Sequence, residues 1–112
     1  MSAVVKQLKI KTGTLKRNIK DLEMAKKEAA RELERMEKFK AENKSDTDLK
    51  QQQNCIDEAE QMIPDAKRRI AKAYDDLKQL MDKSKDEADV TGTEEFTAAQ
   101  AMLTEAEAVQ QS

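Results

Sequence analysis

The sequence predicts an all-α fold: an antiparallel three-helix bundle with two long helices, the second kinked at Pro64, and a shorter third. Three observations carry the prediction. From Leu49 to Leu80 the residues Leu49, Gln52, Ile56, Ala59, Ile63, Ala66, Ile70, Ala73, Leu77 and Leu80 follow one another at alternating steps of three and four, the signature of a heptad seam on one long helix. A second seam of the same kind runs from Val5 to Lys40. Composition agrees, with 39% charged residues, 3% aromatics, 2 Gly and 1 Pro, which suits long helices with a narrow core better than a broad globular one.

With 112 residues the size predicts one helical-bundle domain over residues 1–112. The first helix is expected from about Ala3 to about Ala41. Its seam reads Val5, Leu8, Thr12, Leu15, Ile19, Leu22, Lys26, Ala29, Leu33, Met36 and Lys40. Gly13 interrupts it at a cost of about 1 kcal/mol relative to alanine, which a helix this long absorbs. The polar turn from Glu42 to Thr47 is short, so the first two helices form an antiparallel hairpin. Ser45 or Asp46 is placed to cap the second helix, which is expected over about 46–82. The matched seams place Pro64 opposite Ala25 and Lys26.

Pro64 has no N–H, and its ring crowds the carbonyl of Glu60, so the second helix should bend there, at a cost of about 3 kcal/mol if nothing offsets it. The bend either matches the curvature of the partner helix or shapes an exposed surface. Residues 83–92 then read as an acidic connector that frays. Thr91 with Glu94, or Thr93 alone, caps a third helix over about 94–109, with Phe96, Ala99, Leu103 and Ala106 on its inner face. This helix is expected to cover only the half of the hairpin containing Val5 to Leu22 and Ile70 to Leu80.

Little in the sequence points to chemistry. There is no histidine, no glycine-rich phosphate loop, no paired cysteines and no serine in a nucleophile elbow, so the chain reads as a non-enzyme without metal or cofactor. The single cysteine, Cys55, reads as a half-buried apolar side chain beside Ile56. No run exceeds three consecutive apolar residues, which argues against a signal-peptide core or membrane span and for a cytoplasmic setting. A net charge of -2 argues against nucleic acid as a partner. A membrane surface is disfavoured because no broad apolar face with Trp or Phe opposes the basic one.

Three stretches are candidates for binding a protein. Lys9, Lys11, Lys16, Arg17 and Lys20 belong to a basic run without an acid, suited either to attract an acidic partner or to be neutralised by the chain's own acidic connector. Ile10 and Met24 lie two heptads apart on the outward side of the first helix, as apolar anchor points. Asp65, Arg68 and Arg69 follow Pro64, and Asp65 lies one turn from Arg69.

At these residues the chain becomes recognisable. The run Leu8-Lys9-Ile10-Lys11-Thr12-Gly13, then Lys16-Arg17, Asp48-Leu49-Lys50-Gln51-Gln52, Met62-Ile63-Pro64-Asp65 and Arg68-Arg69 resembles the tubulin-binding cofactor A family, in order and at matching spacing. The resemblance implies a three-helix cytosolic chaperone that holds quasi-native β-tubulin after its release from the cytosolic chaperonin and passes it towards heterodimer assembly. It implies no nucleotide and no metal, allows other tubulin-folding cofactors as partners, and fits a monomer or a homodimer. Under this reading Lys9, Ile10, Lys11, Lys16, Arg17, Lys20, Met24, Asp65, Arg68 and Arg69 contact the client. The competing reading is a structural three-helix spacer or coiled-coil adaptor with no client.

Overall fold

The computed structural model describes residues 2–111. Among these, four helical elements follow one another: α1 (Ala3–Ala41), α2 (Asp46–Ser84), α3 (Ala88–Thr91) and α4 (Glu94–Gln111). At 1.5 Å per residue the two 39-residue helices are each about 58 Å long and the 18-residue α4 about 27 Å. A hydroxyl opens each of these three. Ser2 Oγ accepts from the Val5 N–H at 3.1 Å, Ser45 Oγ from Asp48 at 3.2 Å and Thr93 Oγ1 from Phe96 at 3.2 Å, so each satisfies one of the amides left over at a helix start. The caps at Ser45 and Thr93 are among those the sequence offers.

Contacts divide the chain into two compact units, one made of the chain up to Lys20 together with Lys67 onward, the other of Asp21–Ala66. In the second unit α1 ends in a double hydrogen bond. Lys44 N–H reaches the Phe39 carbonyl at 3.0 Å and Asn43 N–H the Lys40 carbonyl at 3.2 Å, with Asn43 left-handed at φ 54. Asparagine tolerates that region better than other side chains, and the Lys44 ammonium lies 5.8 Å from the centre of the Phe39 ring, which closes the turn.

The α2 seam in this unit is as expected, with Gln52, Ile56, Ala59 and Ala66 buried. The α1 seam is not. Lys26, Leu33 and Lys40 are exposed, Leu33 at 49%, while Ala25 and Phe39 are half-buried and Glu32 is buried. A hydrogen bond decides the register. Gln52 Nε2 donates at 2.8 Å to both the carbonyl and a carboxylate oxygen of Glu32, and Arg35 Nη1 lies 3.5 Å from the other oxygen. A buried carboxylate is tolerated only with such partners. Cys55 corrects a second expectation: it is exposed, because it stands one position off the Gln52–Ile56 face. Pro64 is exposed, and α2 continues as helix through it.

The first unit has the larger side chains. Leu8, Leu15, Ile70 and Leu77 are completely buried, and Val5, Ile19, Ala73 and Met81 complete the seam. α4 covers it with Phe96, Ala99 and Ala106, in the half of the hairpin where it was expected. Here the connector differs from the fraying segment the sequence suggests. α2 runs on to Ser84, which is buried and donates to the Leu80 carbonyl at 2.9 Å, and a single turn, α3, buries Val90. Thr93 Oγ1 donates to the Val90 carbonyl at 2.6 Å, tying this turn to the start of α4. Burial of Val90, about 1.5–3 kcal/mol, acts together with these hydroxyl bonds and with the backbone bonds from Val90 and Thr91 to the Glu87 carbonyl to hold the turn.

Candidate functional site

Helical spacing sorts the candidate residues onto different faces. In the first unit, Leu8, Leu15 and Ile19 face inward, which turns Ile10 and Arg17, seven residues apart, away from the core. Both are exposed, Ile10 at 60%. Lys9, Lys16 and Lys20 lie along one flank of α1 and are also exposed. Lys11 is half-buried on the other flank.

The two flanks have different neighbours. Lys9 borders a cavity of about 240 Å³ with Thr12, Ala98 and the first two residues of α4, Glu94 and Glu95. These acids favour the positive end of α4 and border the same cavity as the lysine. The Thr12 hydroxyl there is buried with no hydrogen-bond partner among the described residues. Lys11 instead lines a groove of about 160 Å³ with Gln7, Ile10, Thr14, Ala73 and Asp76. Asn18, one turn further along the same face, donates from Nδ2 to the Arg69 carbonyl at 3.3 Å and so sets the level at which α1 and α2 meet. The Arg68 and Arg69 side chains are exposed.

In the second unit, Met24 is 50% exposed and Asp65 half-buried. A cavity of about 270 Å³ in this unit is lined by Phe39, Lys44, Asp48, Gln51, Gln52 and Cys55.

One contact lay outside the sequence reading. The Tyr74 hydroxyl donates to the Glu107 carboxylate, joining α2 to α4. That bond, with desolvation and the charges of Glu107, Asp75 and Asp82, pushes the phenol up to about 12. Its sequence signal is weak, since Tyr74 lies next to the seam residue Ala73 and Glu107 next to Ala106. No group of three or more His, Cys, Asp or Glu is set to hold a metal among the described residues, and no helix is long and apolar enough to cross a membrane.

The family described as Tubulin binding cofactor A matches residues 3–103. The chain belongs to that family. Tubulin-specific chaperone A of Rattus norvegicus is 40% identical to it over 99 residues, covering 88% of this chain and 89% of the relative. The solved structure of tubulin-binding cofactor A from Leishmania major superposes with a TM-score of 0.82 at 34% identity, over 97% of this chain and 98% of that one. Human tubulin chaperone cofactor A gives a TM-score of 0.75 at 36% identity, over 93% and 98%. Similarity in sequence and in fold therefore extends across almost the whole chain, including the helices that carry the exposed basic residues.

Proposed function

We propose that this chain is a cytoplasmic tubulin-folding cofactor. It binds and holds quasi-native β-tubulin after release from the cytosolic chaperonin, for post-chaperonin folding and αβ-heterodimer assembly, without catalysis. The observation that carries the reading is the likeness to tubulin-specific chaperone A over 88% of the chain. The physical picture supports it: the large apolar side chains are consumed in the seam, and what faces outward is charged with isolated apolar points, a surface suited to a largely folded client rather than to an unfolded chain.

Client contacts are proposed at Lys9, Ile10, Lys11, Lys16, Arg17, Lys20, Arg68 and Arg69 in the first unit and, separately, at Met24 and Asp65 in the second. The cations steer and orient, while Ile10 and Met24 supply apolar contact. The test is capture from cytosol at gentle salt with the chain as bait. β-Tubulin free of its α partner should be enriched, and reversing Lys16, Arg17 and Lys20 to Glu should weaken capture about tenfold with unchanged helicity. Recovery of no tubulin, as a spacer would give, or of α and β in equal amounts, overturns the reading.

A further inference from the structure

Residues 1–20 and 67–74 hold ten basic residues and no acid, while all 23 acids lie elsewhere in the chain. These two stretches are parts of the same unit, and the hydrogen bond from Asn18 to the Arg69 carbonyl brings them side by side. Gathering these cations on adjoining stretches raises the local positive potential there, which favours an acidic ligand. We propose that the open α1–α2 groove of this unit, with Lys11 in its lining and Arg69 and Lys72 further along the same α2 face, is a docking site for an extended acidic peptide segment.

The face is defined by spacing and by contact. On α1, Gln7, Lys11, Thr14 and Asn18 follow at steps of four, three and four; the first three line the groove and the fourth bonds across it. On α2, Arg69, Lys72 or Ala73, and Asp76 follow at steps of three and four, with Ala73 and Asp76 in the groove lining. Lys72 and Arg69 therefore continue the Ala73–Asp76 face towards Asn18, one turn or about 5.4 Å at a time. Both side chains are exposed.

An extended segment presents alternate side chains about 6.8 Å apart, within reach of long cationic side chains at that pitch. Asn18 and Thr14 add polar groups between the cations. Asp76 closes one end by repelling a carboxylate, so the acidic run lies from Lys11 towards Arg69. Nucleic acid fits less well, because none of the groove residues is aromatic and bases would have nothing to stack on.

This inference deepens the client-binding reading, since the acidic segment would belong to the client. The test uses the full chain and a fluorescent glutamate-rich peptide of about ten residues, followed by anisotropy at low and physiological salt. Lys11→Gln/Arg69→Gln/Lys72→Gln should weaken binding about tenfold, from three lost exposed charge contacts. Lys27→Gln/Lys38→Gln/Lys50→Gln, which removes the same charge from the other unit, should change it less than twofold. On the parent, peptide addition should shift the amide resonances of Lys11, Asn18, Arg69 and Lys72. Equal loss in both variants, resonance shifts confined to other residues, or tighter binding of a single-stranded oligonucleotide than of the peptide overturns the proposal. Capture of purified β-tubulin is measured in parallel. A parent that captures tubulin but ignores the peptide defeats this inference alone, whereas one that binds the peptide in the groove and captures no tubulin defeats the functional reading alone.

Discussion

The unit containing both chain ends buries Leu8, Leu15, Ile70 and Leu77 completely under a third helix, whereas Asp21–Ala66 fills the corresponding seam with Leu22, Ile56 and Met36 interspersed with Ala29, Ala59, Ala66 and a hydrogen-bonded Gln52–Glu32 pair. The first gains its stability from area: each large aliphatic side chain contributes about 1.5–3 kcal/mol of burial before entropy is counted. The second has less area to bury and spends polar groups on register instead. A buried amide–carboxylate pair adds little net stability, but it makes a slipped pairing expensive, because a slip strands both groups. Two stretches of the same helices thus solve different problems, one staying folded and the other staying aligned.

Substitutions can break this contrast. Leu77→Ala should cost about 2–5 kcal/mol in urea unfolding, because α4 holds the surrounding walls in place and limits collapse into the cavity. In the other unit, Gln52→Ala should cost about 1–3 kcal/mol by leaving Glu32 short of a partner, while Gln52→Leu combined with Glu32→Leu should recover most of that loss. Failure of the double variant to recover would mean that the pair supplies stability rather than register.

Smaller effects sharpen the comparison. Tyr74→Phe should cost about 1 kcal/mol at neutral pH by removing the bond to Glu107. Because the folded-state phenol is raised from 10.0 to about 12, its contribution is complete below pH 10 and is lost as pH climbs through 12. Ultraviolet titration of this sole tyrosine should show the raised midpoint, and Glu107→Gln should return it towards 10. Gly13→Ala should stabilise by about 0.5–1 kcal/mol in thermal melts, since a Cβ there meets nothing within 4 Å and the helix gains propensity. Leu33→Ala should change stability by less than about 0.5 kcal/mol, the behaviour of a surface position despite its place in the heptad pattern.

Much of this was legible beforehand for reasons that are local. The α2 seam repeats Ile, Ala and Leu so regularly that only one face can be buried, and Ser45 and Thr93 stand where a helix start needs an acceptor. α1 is ambiguous after Leu22. The track through Lys26 and Leu33 and the track through Ala25 and Glu32 share Ala29 and Met36, so periodicity favours the one with leucine. Among the candidate site residues, exposure of Ile10, Arg17 and Met24 followed from spacing alone. The separation of Lys9, beside Glu94 and Glu95, from Lys11, beside Asp76, did not, because both are lysines in one basic run and only their neighbours on other helices distinguish them.

By itself the sequence determined where α1, α2 and α4 begin, which side of α2 is buried, and the family likeness, all properties set by hydrogen bonds and side-chain order within a few turns. Tertiary structure alone decided which track of α1 turns inward, that the acidic connector buries Val90, and which cations of one basic run share a cavity with an acid of another helix. Those outcomes depend on what a distant segment offers at the same level, an amide at Gln52 or a carboxylate at Glu94, and no local pattern records that.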